Sequence, residues 1–290
     1  MTGPRVALVT GASRGAGAGI ARGLGELGYT VYVTGRTVTP GAARGWDGSV
    51  LPGTVAETAA RVSELGGAGI PVICDHGDDA QVARLFAQIV AEQGRLDLLV
   101  NNAAFIHHQL IEKKPFWDKE LEAVGIIEVG LRSSYVASWH AARMMVAQGS
   151  GLIAFTSSFG ASCYMHGPAY GAQKAGIDKL AHDMEHDLRG TGVAAVSLWL
   201  GPQVTERSEI ARRTNPEQYE GFIAMAENPE FIAHILDAID RAPNREELSG
   251  QTLIGAEIAR ELGVTDRGQE RPSHRAMLGS PRPKNPAAVY

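Results

Sequence analysis

A tyrosine and a lysine stand four positions apart in the segment YGAQK, which runs from Tyr170 to Lys174. On a helix, residues at this spacing lie on one face, so both side chains would point into the same space. A free tyrosine has a pKa of about 10, and a neighbouring ammonium lowers it by favouring the phenolate. The pair therefore predicts a proton-transfer site, with Tyr170 as the acid or base and Lys174 as the group that adjusts its pKa.

Two serines upstream can complete such a site. Ser157 and Ser158 lie thirteen and twelve residues before Tyr170, at the end of an apolar run that predicts a strand. A serine hydroxyl at this place can donate a hydrogen bond to a substrate oxygen whose charge changes during the reaction. Both serines are candidates.

The segment TGASRGAGAGI, from Thr10 to Ile20, follows the first predicted strand. Glycines at this junction permit a tight turn, and they let backbone N–H groups and the next helix N-terminus face a pyrophosphate. The segment therefore predicts dinucleotide binding. Its candidate cofactor-binding residues are Gly11, Ser13, Arg14, Gly15, Ala16 and Gly17.

The end of the second predicted strand bears on the choice of cofactor. Folds that bind NAD often carry an acidic residue there, which accepts from the ribose 2′-hydroxyl. This sequence has Gly35 and Arg36 instead, and Arg14 lies in the glycine segment. Since guanidinium groups pair well with phosphate, the sequence predicts NADP(H) rather than NAD(H).

The elements that must position these residues alternate between two types. Short runs rich in Val, Ile and Leu predict strands buried on both faces, at 5–10, 30–34, 70–74, 96–100, 151–156, 193–199 and 251–255. Amphipathic stretches predict helices at 17–27, 54–65, 79–93, 117–147 and 170–189. This alternation predicts an α/β fold: a single Rossmann-fold domain with a doubly wound parallel sheet of about seven strands and helices on both faces.

Three segments interrupt the alternation. Residues 37–53 form a Gly- and Pro-rich loop, longer than most strand–helix connections. Residues 201–228 follow the sixth strand and are expected to form a lid over the site. We expect one domain over residues 1–264, and a Pro-rich polar tail over 265–290 that is extended unless it docks on a neighbour.

Composition excludes several other classes of protein. The net charge of −5 gives no support for nucleic acid as the main partner. No run of about 18 apolar residues is present, so no membrane span is expected. Two cysteines far apart in sequence do not indicate a disulfide framework, which favours a cytoplasmic location. His182 and His186 have a spacing that suits a metal, but with no evident third ligand we expect no metal site.

Taken together, these motifs resemble those of the short-chain dehydrogenase/reductase family over about residues 5–206. The resemblance rests on the glycine segment, Cys74-Asp75, NNAA at 101–104, TSS at 156–158 and YGAQK at 170–174. Two further stretches, VGLRSSY at 129–135 and SLWLGPQVTE at 197–206, point to one subgroup of that family. The resemblance implies an NAD(P)-dependent oxidoreductase that interconverts a small-molecule carbonyl and an alcohol.

The resemblance also assigns roles to residues outside the glycine segment. It implies that Asp75 lies at the adenine and that Asn101 and Ala103 line the cofactor site. Gly201 and Thr205 match the family loop that holds the nicotinamide amide, although this chain has a leucine where the family usually has a proline before that glycine.

For the proton-transfer residues, the resemblance implies that Tyr170 and Lys174 also contact the cofactor, with Lys174 on the nicotinamide ribose. In the family, the second serine of the pair usually stands thirteen residues before the tyrosine. The shape of the motif therefore favours Ser158, whereas its spacing favours Ser157.

One departure from the family concerns Gly130. Many members carry an asparagine there, which is thought to hold a water in a proton relay, and glycine has no amide to offer. The alternative function is therefore a non-catalytic dinucleotide-binding or scaffold protein on the same fold. In either case the resemblance implies a homodimer or homotetramer, with helices 117–147 and 170–189 as candidate contacts.

Overall fold

Seven parallel strands form one sheet in the computed structural model, which describes residues 3–283, 285 and 287–289. In this part of the chain the strands are β1 (Val6–Val9), β2 (Thr30–Gly35), β3 (Ala43–Arg44), β4 (Val50–Leu51), β5 (Ala68–Ile73), β6 (Leu98–Asn101), β7 (Gly151–Ser157), β8 (Val193–Trp199) and β9 (Thr252–Ile254). The order across the sheet is β5-β2-β1-β6-β7-β8-β9, and β3 and β4 make a separate antiparallel hairpin. The predicted doubly wound parallel sheet is confirmed.

Helices cover both faces of the sheet. They are α1 (Gly15–Glu26), α2 (Val55–Glu64), α3 (Asp79–Gln93), α4 (Gly125–Ile127), α5 (Ser133–Gln148), α6 (Pro168–Leu188), α7 (Glu206–Thr214), α8 (Pro216–Ile223), α9 (Pro229–Arg241), α10 (Arg245–Leu248), α11 (Gly255–Glu261) and α12 (Arg275–Leu278). Among the described ranges, every helix is too short or too polar to span a membrane.

The strands are apolar without alternation because each face of the sheet has its own core. On one face, α1, α2 and α9 pack over side chains such as Val9 and Val33. On the other, α3, α5 and α6 pack over neighbours such as Leu8 and Phe155. Successive residues of a strand point to opposite faces, so both must be apolar when both faces are covered.

Glycines let α1 approach α9 very closely. A Cβ added at Gly19 would overlap the ring of Pro229, the first residue of α9. One turn further along, a Cβ at Gly23 would lie 2.7 Å from the Cβ of Ala233. The glycine content of α1 therefore serves helix packing as well as the turn that precedes it.

The predicted long helix over 117–147 is wrong over 117–124, before the helical segment that begins at Gly125. Residues 116–118 and 121–124 form two 3₁₀ turns, and a π-helical turn at Glu128–Arg132 joins the short α4 to α5. Phe116 and Trp117 in this segment are 62% and 71% exposed. Without an apolar face that meets the core, this segment has no tertiary packing to hold it in a continuous helix.

The loop 37–53, the segment 201–228 and the tail as far as Leu278 pack on the domain. The hairpin β3–β4 lies within the loop 37–53, and α7 and α8 form the segment 201–228. In the tail, the carboxylate of Asp266 accepts hydrogen bonds from Asn228 and from Arg271.

We predict that Gly19→Ala destabilises the fold, because the new methyl group has no space against Pro229. Overpacking of this kind costs about 1–3 kcal/mol, which thermal or urea unfolding can measure. Gly221→Ala is the matched control, since no atom lies within 4 Å of the added Cβ and the residue is inside α8. Equal unfolding free energies for the two variants would contradict the packing account.

Candidate active site

The candidate site lies where the carboxyl ends of β1, β6, β7 and β8 meet, since loops at this edge of a parallel sheet converge on one crevice. β7 ends at Ser157, and Ser158 begins a short 3₁₀ turn that leads toward α6. Gly167 has φ of 103°, which a glycine adopts without strain, and Pro168 then starts the helix. This turn places Tyr170 in the first turn of α6.

Tyr170 faces Ser158 across the start of α6. The Tyr170 hydroxyl and Ser158 Oγ are 3.0 Å apart, within hydrogen-bond distance. A Cβ at Gly160 would lie 2.6 Å from the tyrosine ring, so the glycine leaves the space in which the ring sits. Burial raises the pKa of Tyr170, and the hydrogen bond with Ser158 opposes that rise only in part. The lowered tyrosine pKa expected from the sequence is therefore not what the protein alone produces.

Lys174 is buried behind the tyrosine, four residues along the same helix. Its Nζ donates to the carbonyl oxygen of Thr156 at 3.0 Å and lies 5.4 Å from the centre of the Tyr170 ring. Burial lowers the pKa of Lys174 to about 8, while the carboxylate of Asp178 acts in the opposite direction. The ammonium is close enough to the ring to stabilise a phenolate when one forms.

The two candidate serines have different surroundings. Ser157 is buried, and its hydroxyl donates to the carbonyl oxygen of Lys174 at 3.4 Å. Ser158 lies beside the Tyr170 hydroxyl and lines the cavity in front of it. Consecutive residues leave a strand on opposite sides, so only one of the pair can face the tyrosine.

A cavity of about 280 Å³, here called the glycine-loop cavity, opens between the end of β1 and the start of α1. Ten of the residues predicted to bind cofactor line it: Gly11, Ser13, Arg14, Gly15, Ala16, Gly17, Arg36, Asp75, Ala103 and Thr205.

Four other predicted cofactor residues lie elsewhere. Asn101 is buried and donates to Ser138 Oγ at 2.9 Å, while its neighbour Asn102 lines the glycine-loop cavity. The amide of Gly201 donates to the carboxylate of Glu227. Gly201 and Tyr170 line a second cavity, and Lys174 lines neither.

Two arginines that suggested a phosphate site have partners of their own. Arg14 donates to the carbonyl oxygens of Pro52 and Gly53, at 3.0 and 2.8 Å, which ties the glycine segment to the end of the 37–53 loop. Arg36 lies 3.6 Å from the carboxylate of Asp75 and is largely exposed. Its guanidinium therefore remains accessible at the mouth of the cavity.

The sequence reasoning missed His76 and Arg207, which also line the glycine-loop cavity. His76 Nε2 lies 2.8 Å from Thr34 Oγ1, and burial lowers the pKa of this histidine to about 4. It is therefore neutral at physiological pH, with Nδ1 lacking a hydrogen-bond partner among the described residues. Its place directly after Cys74-Asp75 was the available signal.

The second cavity, here called the tyrosine cavity, has a volume of about 500 Å³ and contains the Tyr170 and Ser158 side chains. Apolar and aromatic groups dominate its walls, as in most small-molecule sites. The walls come from five parts of the chain; their members include Trp46, Ile111, Phe159, Met165, Leu200, Tyr219, Phe222, His274 and Leu278. The hairpin, the segment 201–228 and the tail therefore all contribute to the place where substrate would lie.

The space beside Gly130 is filled from another helix. A Cβ at Gly130 would lie 2.6 Å from Nε2 of Gln173, and the Gln173 side chain is buried beside Lys174 in α6. Gly130 lies in the π-helical turn, a distortion that often occurs at functional sites. The chain thus has a carboxamide at this place, carried by Gln173.

A group with metal-ligand residue types lies at the rim, where His107, His108 and Glu120 come within 4.8 Å of one another. His107 Nδ1 accepts from the backbone N–H of Gln109 at 3.2 Å, which puts the proton of the neutral ring on Nε2. That nitrogen lies 3.6 Å from the Glu120 carboxylate and has no hydrogen-bond partner among the described residues. On this tautomer it carries a proton, whereas a metal would need its lone pair.

Comparison with known proteins agrees with this geometry. A sequence model of the family described as short chain dehydrogenase matches residues 5–216. The chain belongs to this family and is an NAD(P)-dependent oxidoreductase. This chain is 38% identical over 273 residues to human dehydrogenase/reductase SDR family member 1. The aligned region covers 90% of this chain and 83% of the human protein.

Solved structures show the same fold. A short-chain dehydrogenase from Mycobacterium thermoresistibile superposes with a TM-score of 0.75 over 92% of this chain and 90% of that one, at 23% identity. A metagenomic short-chain oxidoreductase, solved in complex with NADP, gives a TM-score of 0.66 over 86% of this chain and 96% of that one, at 26% identity.

We predict that Ser158→Ala lowers kcat by about 10²-fold, the usual effect of removing one donor to a developing oxyanion. Ser157→Ala removes only a buried hydrogen bond, so it should cost about 1 kcal/mol of stability and little activity. Steady-state kinetics and thermal unfolding of both variants separate the two serines. A kcat loss in Ser157→Ala that equals the loss in Ser158→Ala would reverse the assignment.

Proposed function

We propose that this protein is an NADP(H)-dependent carbonyl reductase or alcohol dehydrogenase for small to medium apolar substrates. In this proposal Tyr170 transfers the proton, Ser158 holds the substrate oxygen and Lys174 supplies positive charge. The observation that carries the proposal is the 3.0 Å contact between Ser158 Oγ and the Tyr170 hydroxyl, at the wall of an apolar cavity. The same contact argues against a scaffold that merely keeps the fold.

The glycine-loop cavity is suited to a dinucleotide. Gly15 has φ of 58°, and a Cβ there would meet only the Thr205 methyl group at 3.9 Å, so the residue borders open space at the N-terminus of α1. Glycine at this place keeps backbone N–H groups accessible to a phosphate. The residues that would hold the dinucleotide are the ten predicted cofactor residues that line this cavity, together with Asn102 and His76.

For the choice between NADP(H) and NAD(H), the accessible guanidinium of Arg36 is the supporting feature. It lies at the end of β2, where a 2′-phosphate would approach, and this position carries no acidic residue of the kind that selects the free hydroxyl. The structural relative solved with NADP supports the same choice.

The proton transfer follows from the buried tyrosine. With a raised pKa, Tyr170 is protonated at neutral pH and can donate to a carbonyl oxygen as that oxygen gains charge. Ser158 hydrogen-bonds the same oxygen, and the Lys174 ammonium stabilises the phenolate that remains. Bound NADPH supplies the hydride in this direction. Oxidation of an alcohol uses the same groups with each proton transfer reversed.

We also propose that Gln173 takes the role that an asparagine usually has in the family, which is to hold a water in a proton relay. Its carboxamide occupies the space next to Gly130 and is adjacent in sequence to Lys174. A carboxamide both donates and accepts hydrogen bonds, so it can hold a water for proton exchange behind the lysine.

Exposed apolar side chains on α5 support the expectation of a homo-oligomer. Tyr135, Trp139 and Val146 are each between 42% and 53% exposed on this helix. A second copy of the chain would cover this face, as the family resemblance implies.

We predict that Tyr170→Phe lowers carbonyl reduction by about 10²- to 10⁴-fold, the range expected for loss of a general acid. Purified protein is assayed at 340 nm with NADPH and with NADH against a panel of aldehydes, ketones and quinones, and NADPH should be preferred. Tyr135→Phe, on the exposed face of α5, is the matched control and should keep the wild-type rate.

The wild-type rate should also fall as pH rises through about 8, because Lys174 then loses the charge that stabilises the phenolate. Below that pH the lysine is charged and the rate should be constant. Tyr170→Phe with wild-type turnover, or with an unchanged pH profile, would overturn the proposed mechanism.

We predict that Gly130→Asn by itself is destabilising, because its side chain and that of Gln173 compete for one space; the cost of overpacking is about 1–3 kcal/mol. Gln173→Ala by itself should lower kcat without a matching loss of stability. In the double variant the new asparagine has room, and both stability and kcat should recover. Unfolding and kinetic measurements of all four proteins form a double-mutant cycle, and strict additivity would contradict the exchange.

A further inference from the structure

Arg207, in the first turn of α7, has an unusual position between the two cavities. It lines both the glycine-loop cavity and the tyrosine cavity. Across residues 3–283, its guanidinium makes no ion pair or hydrogen bond, whereas its neighbours Arg212 and Arg213 on the same helix both pair with carboxylates. The carboxylate of Glu206 acts on this guanidinium through its charge but makes no hydrogen bond with it, so the N–H groups of Arg207 can donate to an anionic ligand.

The charges around Arg207 support this reading. Burial lowers its pKa, repulsion from Arg14 lowers it further, and the carboxylate of Glu206 acts in the opposite direction. Arg14 belongs to the glycine segment and lines the glycine-loop cavity together with Arg207 and Glu206. The Glu206 carboxylate offsets part of the positive charge of both arginines, and a phosphate in the cavity would offset more of it.

The position of α7 explains how the two arginines come together. Thr205 caps this helix by accepting from the N–H of Ser208, and the Thr205 methyl group approaches Gly15 at the start of α1. The N-termini of α1 and α7 therefore meet at one point. Both termini and both guanidinium groups favour negative charge there.

The hairpin packs against this helix. Arg207 Cζ lies 5.9 Å from the ring centre of Trp46, Asp47 pairs with Arg213, and a Cβ at Gly45 would come within 2.5 Å of Ile210. Trp46 itself is part of the tyrosine cavity wall. Arg207 is therefore in contact with the wall against which a substrate would lie.

We propose that Arg207 binds a phosphate group of the dinucleotide, and that this contact seats α7 and the hairpin over the tyrosine cavity. The inference rests on the proposed use of NADP(H). The sequence offered no signal for this role, because an arginine two residues after Thr205 belongs to no motif that distinguishes it from a surface arginine.

The test compares wild type with Arg207→Gln, Arg207→Lys and the control Arg212→Gln, whose arginine is paired with Glu209 and Glu220 on the outer side of the lid. Calorimetric titration with NADPH gives the Kd of each protein. Arg207→Gln should weaken binding by about 10- to 100-fold, the value of one charge-assisted hydrogen bond, and Arg207→Lys should recover part of it. Arg212→Gln should bind as wild type does.

Two ligands smaller than NADPH identify which phosphate group Arg207 contacts. Weaker binding of ADP-ribose to Arg207→Gln assigns the contact to the diphosphate, and weaker binding of adenosine 2′-monophosphate assigns it to the 2′-phosphate. Adenosine, which has no phosphate, should bind all four proteins equally.

Several results would overturn the inference. One such result is that Arg207→Gln and Arg207→Lys bind NADPH as wild type does, while the KM of a carbonyl substrate that bears a carboxylate rises. Arg207 would then bind the substrate and not the cofactor. Equal losses in Arg207→Gln and Arg212→Gln would indicate a general effect on the lid. If wild type itself binds no dinucleotide, the proposed function fails, and that result is distinct from a failure of Arg207 alone.

Discussion

The arrangement of the site depends on one buried charge, the ammonium of Lys174. A charge removed from water is costly unless other groups replace the lost hydration. Here the carbonyl oxygen of Thr156 accepts from it, and the carboxylate of Asp178 lies one helical turn away on α6. Asp178 in turn accepts from Ser197 Oγ at 2.6 Å and from Trp199 Nε1 at 2.8 Å.

These contacts fix the rotation and height of α6 against β7 and β8. Since Tyr170 lies one turn before Lys174 on the same helix, its hydroxyl has little freedom once the lysine and the aspartate are satisfied. The Ser158 contact at the mouth of the cavity is therefore set by polar groups deep under it. The packing of α6 on the sheet therefore also determines the catalytic geometry.

Much of the fold was predictable because its signals are local. Helix α3 begins and ends where the sequence placed it, since Asp78 caps the first turn and Gly94 adopts the left-handed conformation after the last. The buried strands were equally clear from their composition. The segment 117–124 was not, because a string of good helix formers becomes a helix only where the core offers an apolar surface to meet.

The residue types of the site were predictable from the sequence, but the directions in which the side chains point were less so. Ser157 and Ser158, like Asn101 and Asn102, stand at a strand end where a one-residue difference changes the face to which a side chain points. For the serines the sequence narrowed the choice to a pair, whereas for the asparagines it indicated Asn101 and the structure places Asn102 at the cavity. Arg207 and Trp46 carry no motif, and Gln173 lies inside YGAQK at a position that the Tyr–Lys spacing does not specify, because the partners of all three come from distant segments.

The C-terminal segment has a consequence for how this protein can vary. His274 and Leu278 reach the tyrosine cavity although they lie about a hundred residues beyond Tyr170 and outside the sheet. Loops and short helices outside a sheet tolerate exchange better than a strand or a core helix does. The shape of the substrate cavity can therefore change through alterations at His274 and Leu278 while the sheet, the glycine segment and the proton-transfer residues stay constant.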